Sequence, residues 1–154
     1  AAAGVRALNP ADGNPELPGY TAMPADYDIH RLILGLPDGS RDLVLEKSIL
    51  LESGFDELHG IDWDKGCYMG QELTARTKYR GLVKKRLVPV TIDGALPSAG
   101  TPVMQESKKV GEVRSGRDGR ALALMRLEYL DHADATFTVD GAAVAPTKPD
   151  WAEF

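Results

Sequence analysis

The decisive stretch for the fold is Lys84-Lys85-Arg86-Leu87-Val88-Pro89-Val90-Thr91-Ile92-Asp93. Apolar residues recur in it at every second position, as Val88, Val90 and Ile92 show, and this period of two is typical of a β-strand. Pro89 lies inside the stretch and has no backbone N–H to donate to a neighbouring strand. The sequence therefore predicts a β-strand at the edge of a sheet.

Further short β segments follow this strand at close spacing. The predicted strands are 103–105, 110–114, 121–128, 136–140 and 142–145. Turn residues separate them, and Asp140-Gly141 suits a two-residue hairpin. Such a series predicts a small antiparallel β-barrel.

The residues before this strand have a different character. Pro24 and Asp26 mark the start of a helix, and Gly35 and Pro37 mark its end. The apolar side of this helix is predicted to be Tyr27, Ile29, His30, Ile33 and Leu34. Because no second ligand lies at metal-binding spacing, we expect His30 to be a packing or surface residue rather than a metal ligand.

Less regular segments fill the rest of this half. Residues 1–24 carry repeated turn signals, which predict an irregular loop with a short strand around residues 5–8. The apolar runs 43–45 and 49–51 suggest buried extended segments or a one-turn helix, and residues 53–60 suggest a short helix. We therefore expect an α+β protein with a boundary near Leu82. It divides an α/β half, residues 1–82, from a barrel with its tail, residues 83–154.

Composition narrows the functional classes. The formal net charge of −5 over 154 residues argues against general nucleic-acid binding. No apolar run is long enough to span a bilayer. The single cysteine cannot form an internal disulfide, which fits a reducing compartment, and it cannot build a metal site alone.

That cysteine lies in the most distinctive segment, Lys65-Gly66-Cys67-Tyr68-Met69-Gly70-Gln71-Glu72. Good helix formers from Gln71 to Lys78, followed by Gly81, predict a helix just after a tight turn. The positive end of the helix dipole and the nearby Lys65 both favour a thiolate at Cys67. The alternative is that Cys67 is simply a small buried apolar residue.

The neighbours of the cysteine also have two interpretations. Asp62 and Asp64 can fix Lys65 electrostatically, and Trp63 is either a stacking surface for a heteroaromatic ring or a core residue. Glu72 and Arg76, four residues apart, form either an ordinary helix-face ion pair or part of a cleft. A basic run is either a solvated face or a site for a folate tail, a phosphate or an acidic partner; its members are Arg76, Lys78, Arg80, Lys84, Lys85 and Arg86.

The sequence Lys-Gly-Cys-Tyr-x-Gly-Gln-Glu, continuing to Thr77, resembles the signature of the YgfZ-type folate-binding family. These proteins are relatives of the glycine-cleavage T-protein that act in iron–sulfur cluster assembly and repair. The extension resembles the branch of the mitochondrial iron–sulfur assembly factor and its bacterial counterparts. The resemblance implies a C-terminal β-barrel and a partial T-protein-like α/β domain, with a further N-terminal portion absent here.

The resemblance also implies roles for individual residues. Cys67 would be the functional thiol, either ligating an iron–sulfur cluster shared with a partner or acting by redox exchange. Tetrahydrofolate or another folate derivative would contact Lys65, Tyr68, Gln71, Glu72 and Arg76. The implied partners are A-type iron–sulfur carriers and apo [4Fe–4S] enzymes, in a bacterial cytoplasm or a mitochondrial matrix.

One departure from the family bears on function. The segment Arg31–Leu36 aligns with a family segment in which a glutamate contacts the pterin ring of the folate, and here that position is Ile33. The departure favours a maturation factor without turnover over the alternative, a tetrahydrofolate-dependent one-carbon (aminomethyl) transferase. A third hypothesis, a module that grips RNA or an acidic protein, ranks lowest.

Overall fold

The computed structural model describes residues 22–130 and 135–154. The predicted loop and strand before residue 22 lie outside these ranges. The α-helices are α1 (Pro24–Leu34), α2 (Gly39–Asp42), α3 (Gln71–Tyr79) and α4 (Leu127–Leu130), with a 3₁₀ helix at Leu50–Ser53. The strands are β1 (Lys85–Asp93), β2 (Pro102–Gln105), β3 (Lys108–Arg117), β4 (Arg120–Arg126), β5 (Phe137–Val139) and β6 (Ala142–Pro146).

The six strands form a closed antiparallel barrel in the order β1-β4-β3-β2-β5-β6. Alternate residues of each strand fill its interior, and Val88, Val90 and Ile92 are the contribution of β1. The predicted hairpin between β5 and β6 is present, with left-handed backbone at Asp140 and Gly141. The small barrel and the α+β class predicted from the sequence are confirmed.

The prediction that β1 is an edge strand is wrong. β1 pairs with β4 on one side and with β6 on the other, so it lies inside a closed sheet. Pro89 is tolerated because the ladder with β6 ends at the pair Val90 and Pro146. Beyond that pair the carbonyl of Pro89 still accepts a hydrogen bond from the Thr147 N–H at 2.9 Å.

Helix α1 covers part of the outer surface of the barrel. Leu32 of α1 is buried against Leu87 of β1 and Leu122 of β4, while Leu124 packs at the margin. These leucines point away from the barrel interior, so β1 and β4 are apolar on both faces where the helix lies. The barrel and the helix therefore share one continuous apolar contact.

The buried face of α1 is largely charged, which corrects the apolar side predicted from the sequence. Its buried residues are Asp28, Arg31 and Leu32, whereas Tyr27 and Ile33 are about half exposed. Arg31 Nε donates to Asp28 at 2.7 Å and Arg31 Nη1 donates to Asp42 at 2.9 Å. Paired charges satisfy one another away from water, so polar residues can occupy the inner face of a helix.

Asp42 connects this ion pair to the barrel. Its Oδ1 accepts hydrogen bonds from the backbone N–H and the hydroxyl of Ser115 in β3, at 2.9 and 2.5 Å. Arg31 Nη2 donates to the same hydroxyl at 2.6 Å. Helices α1 and α2 are thus attached to β3 through one buried polar network.

Asp28 is the second acidic centre of the network. It accepts from Arg31, from Arg41 at 2.8 Å and from Arg117 of β3 at 3.0 Å. Burial acts to raise the pKa of Asp28, but the hydrogen bonds from Arg41, Arg117 and Arg31 outweigh it and hold that pKa well below the usual range. Asp28 therefore stays ionised and stabilises the folded state at neutral pH.

Three other local predictions need correction. The proposed helix over residues 53–60 is a series of turns after the 3₁₀ helix, because Gly54 ends that helix in a left-handed conformation. Leu45 lies in a turn and is 87% exposed rather than buried, whereas Leu51 is buried in the 3₁₀ helix. The strand expected to reach residue 128 stops at Arg126, where α4 begins.

The C-terminal tail folds back over the end of α1. Trp151 Nε1 donates to the Leu34 carbonyl at 2.7 Å. The Trp151 ring lies so close to Gly54 that a Cβ atom at Gly54 would approach it to 2.5 Å.

Within residues 22–130 and 135–154, no helix is long and apolar enough to cross a membrane. The division of the chain into domains at Leu82 stays a prediction.

We expect Asp28→Asn to lower the free energy of unfolding by about 3–5 kcal/mol, because the buried Arg31 loses a charged partner. Urea denaturation at pH 7 measures the change. Asp93→Asn is the matched control, since Asp93 is exposed at the end of β1, and its effect should stay within about 0.5 kcal/mol. Equal effects of the two substitutions would contradict the role given to the network.

The same network sets an acid limit on stability. The pKa of Asp28 is lower in the folded chain than in the unfolded chain. Its contribution is therefore complete above about pH 4 and is lost as the pH falls further, towards the folded-state pKa. Urea midpoints from pH 7 down to pH 3 should fall more steeply for the unsubstituted protein than for Asp28→Asn. Parallel curves would contradict this assignment.

Candidate functional site

Cys67 lies in an irregular segment, residues 61–70, that leads into α3, and its side chain is exposed. The tight turn expected at Cys67 lies instead at Met69 and Gly70, two residues further on, and the helix begins at Gln71 as expected. Gly70 has φ +87°, a conformation that residues with a Cβ rarely adopt. The thiol therefore stands at the protein surface and not among core side chains.

The backbone before the thiol is fixed by Asp62. Its Oδ1 accepts hydrogen bonds from the N–H groups of Asp64 and Lys65, at 2.9 and 3.2 Å. The ammonium of Lys65 instead lies 4.5 Å from the centre of the Tyr68 ring, in cation–π geometry. Lys65 and Tyr68, which flank the Gly66-Cys67 pair in the sequence, thus contact each other.

Helix α3 presents most of its side chains to solvent. Thr77 is its buried residue, and its hydroxyl donates to the Leu73 carbonyl at 2.8 Å. The side chains of Arg76 and Glu72 form an ion pair on the exposed face. Gln71 is half-buried in the first turn. The predicted pairing is present, and an exposed pair of this kind contributes a few tenths of a kcal/mol at about neutral pH.

Asp56 contacts both ends of the segment that contains Cys67, residues 63–78, which we call the motif segment. Its Oδ1 accepts from Trp63 Nε1 at 2.5 Å, and its Oδ2 lies 2.9 Å from Lys78 Nζ. Trp63 precedes the thiol and Lys78 lies near the end of α3, so one carboxylate joins both ends of the segment. Burial acts to raise the pKa of Asp56, but the Trp63 hydrogen bond and Lys78 lower it on balance.

Trp63 is engaged within the protein. Lys78 Nζ lies 4.1 Å from the centre of its ring, and Tyr79 meets it edge to face with ring centres 6.1 Å apart. These contacts occupy much of the indole that sequence analysis offered as a stacking surface. They favour the packing interpretation. No sequence motif could have identified Asp56 as the residue that positions this indole.

The residues of the basic run differ in their ion-pair partners in the folded chain. Arg76 pairs with Glu72, Lys78 pairs with Asp56, and Arg86 pairs with Glu57 at 2.8 Å. Arg80, Lys84 and Lys85 form no ion pair within the part of the chain that the structure describes. The six residues therefore do not act as one uniform patch, and the unpaired charges lie around the start of β1.

Three large apolar side chains that follow Cys67 in the sequence are exposed. Met69 is fully exposed, Leu73 is 64% exposed, and Tyr79 is 75% exposed. Single exposed apolar residues are ordinary on a protein surface, so these three do not by themselves define a contact surface. In the described ranges, no group of three His, Cys, Asp or Glu side chains is arranged to hold a metal ion.

Ile33 lines a pocket to which the motif residues do not contribute. It is 49% exposed on α1 and lines a mainly apolar cavity of about 390 Å³ with Leu36, Pro89 and Trp151. None of the predicted folate contacts lines this cavity; those residues are Lys65, Tyr68, Gln71, Glu72 and Arg76. An isoleucine offers no acceptor to the amino-pyrimidine edge of a pterin.

The closed barrel and the preceding helices define the class of protein. Residues 84–154 match the family model described as the CAF17 C-terminal beta-barrel domain. Residues 84–154 thus carry the barrel of that family, and the chain as a whole is similar to iron–sulfur cluster assembly factors, which confirms the resemblance recognised from its motif.

Particular relatives carry the name iron–sulfur cluster assembly factor IBA57, mitochondrial. The human protein is 38% identical over 133 residues, which cover 82% of this chain and 37% of the human protein. The mouse protein is 36% identical, covering 96% of this chain and 44% of its own length. A homologue from Neosartorya fischeri is 35% identical, with 78% and 31% covered. The chain therefore spans less than half of each of these relatives.

We expect Asp56→Asn to loosen the motif segment, because the amide keeps neither the charge nor both acceptor oxygens. Amide hydrogen exchange within residues 61–80 should quicken by about tenfold, equivalent to ~1.4 kcal/mol. Asp64→Asn is the control, since the Asp64 side chain is exposed and its substitution leaves the Asp62 turn intact. Unchanged exchange in Asp56→Asn would contradict the positioning role of Asp56.

Proposed function

We propose that this protein is an accessory factor in the assembly or repair of iron–sulfur clusters of the [4Fe–4S] type, and that Cys67 is its functional thiol. The observation that carries the proposal is the exposed cysteine in a segment whose two ends are held by Asp56. The names of the relatives, which are iron–sulfur cluster assembly factors, support the same function.

The cluster is cargo in this proposal. A [4Fe–4S] cluster takes cysteine thiolates as its usual ligands, and this chain supplies a single one. The remaining ligands would come from a partner or from a second copy of the chain, and an exposed thiol is accessible to either. The partners that fit this chemistry are A-type iron–sulfur carriers, which deliver a cluster, and apo [4Fe–4S] enzymes, which receive it.

Folate binding fits the motif residues only in part. Lys65 and Arg76 supply positive charge and Tyr68 supplies a ring, which suits an anionic aromatic ligand. Ile33 lacks the carboxylate that a T-protein-like pterin site requires. The residues do not fit that geometry, so we derive no one-carbon or aminomethyl transfer step through a folate. A maturation factor without turnover of its own is the function that we propose.

The compartment follows from the same comparison. The relatives are mitochondrial by name, and a mitochondrial matrix or a bacterial cytoplasm is the location that we propose for this protein. Both compartments are reducing, so a lone exposed cysteine stays available as a thiol there.

Substitution of Cys67 by Ser tests the proposal in the protein at its natural full length. We expect loss of most [4Fe–4S] enzyme activity in cells that lack the native factor, because serine is a far weaker iron ligand than a thiolate. Mixing the purified protein with a loaded A-type carrier should also give a thiolate-to-iron band in the difference spectrum taken against the loaded carrier alone, and Cys67→Ser should abolish that band.

Met69→Ser is the control, since Met69 is exposed on the same segment and has no thiol. It should support the enzyme activity and the band. Full activity with Cys67→Ser would remove the thiol from the mechanism. Lost activity with an unchanged band would instead assign Cys67 to thiol–disulfide exchange and would contradict cluster ligation.

A further inference from the structure

A groove of about 600 Å³ runs along the outer wall of the barrel, away from the motif cysteine in the sequence. It is lined by Val83–Lys85 at the start of β1 and by Arg126–Glu128 at the end of β4. The Leu127 N–H donates to the Lys84 carbonyl at 3.0 Å, and Lys85 pairs with Arg126 in the ladder. The groove is therefore lined by the segment entering β1 and by the junction of β4 with α4, and backbone hydrogen bonds join its two walls.

The charges of the groove are only partly compensated. Lys85 and Arg126 lie directly opposite each other on adjacent strands, an arrangement of like charges that destabilises a sheet. In the described ranges Lys84 and Lys85 form no ion pair. Arg126 pairs with Glu128 at 3.2 Å, but both side chains are half exposed or more, so that pair contributes at most about 1 kcal/mol.

A second depression of about 150 Å³ continues the groove onto β3. It shares Lys85 and Arg126 with the first and adds Lys109 and Glu112. Glu112 is held by Lys109 at 2.9 Å and by Arg114 at 2.6 Å. The positive charges thus extend in a line over three strands and exceed the negative ones.

The pKa of Glu112 shows how the charges of this surface act on a carboxylate. Burial acts to raise its pKa, but the Lys109 hydrogen bond and the charges of Arg114 and Lys85 lower it on balance. The charges of Lys109, Arg114 and Lys85 therefore stabilise the ionised form of Glu112. The same field would act on a carboxylate supplied by another molecule.

The residues that line the groove argue against a nucleic acid as its ligand. Among the described residues that line the two depressions, none has an aromatic ring on which a base could stack. Val83 and Leu127 instead offer aliphatic contacts at the base of the lysines. Together with the net charge of −5, these features favour a protein segment over a nucleic acid.

We propose that this groove binds an extended acidic segment of a partner protein, with carboxylates on Lys84, Lys85, Arg126 and Lys109 and aliphatic side chains against Val83 and Leu127. The proposal goes beyond the cysteine chemistry and does not depend on it. It assigns the barrel wall as a second contact surface, which recognises a partner by charge while the motif segment presents the thiol.

The test uses a fluorescein-labelled octapeptide of alternating Glu and Leu and the protein at its natural full length. Anisotropy should show binding that weakens at least about tenfold between ~0.05 and ~0.5 M salt, as an interaction between surface charges does. Lys84→Glu combined with Lys85→Glu should weaken binding at least about tenfold in low salt. Cys67→Ser should bind the peptide as the unsubstituted protein does.

Arg120→Glu is the matched control. Arg120 is an exposed residue at the opposite end of β4, six positions from Arg126 or roughly 20 Å along the strand. The control should change peptide affinity by less than about twofold. An equal loss in Arg120→Glu would show a non-specific charge effect and would overturn the proposal.

A single substitution at Lys84 distinguishes lost binding from unfolding. The Lys84 side chain is exposed and forms no ion pair within the described ranges, so Lys84→Glu alone should leave the thermal midpoint unchanged while peptide binding falls. A fall in both would overturn the assignment. So would the absence of peptide binding, or tighter binding of an eight-nucleotide single-stranded RNA or of inorganic phosphate with the same dependence on Lys84 and Lys85.

Discussion

The guanidinium of Arg31 lies between the carboxylates of Asp28 and Asp42, shielded from water, and Ser115 of β3 completes its hydrogen bonds. A buried arginine left without such partners would destabilise the fold strongly. Helices α1 and α2 therefore pair their charges mainly with each other, and Ser115 and Arg117 of β3 attach the paired helices to the barrel. Leu32 and the barrel leucines add apolar contact beside the ion pairs, but directional bonds fix the orientation.

A series of side-chain contacts links the barrel to the segment that contains Cys67. Arg86 of β1 donates to the Leu51 carbonyl at 2.9 Å and pairs with Glu57, which fixes the loop that follows the 3₁₀ helix. Asp56 in that loop then holds Trp63 and Lys78. Cys67 is thus exposed on a segment whose supports lead back to a closed sheet, where no strand edge is free to shift.

Period-two patterning and turn residues were sufficient to predict the barrel, since both act over a few neighbouring positions. The buried face of α1 was not predictable in this way, because Asp28 and Arg31 pair not only with each other but also with partners 11 to 89 residues distant. Closure around Pro89 likewise depends on β6. At the site, the motif revealed Cys67 and α3, whereas Asp56 carries no signal until the fold brings Trp63 and Lys78 together.

The hydrogen bond from Trp151 to the Leu34 carbonyl joins positions 117 residues apart. During synthesis α1 emerges long before Trp151, so the carboxyl end of the helix stays partly uncovered until Trp151 has also emerged. Nascent chains halted ahead of Trp151 would keep that end open to chaperones and proteases. A side chain from a distant part of the sequence thus completes the end of this helix.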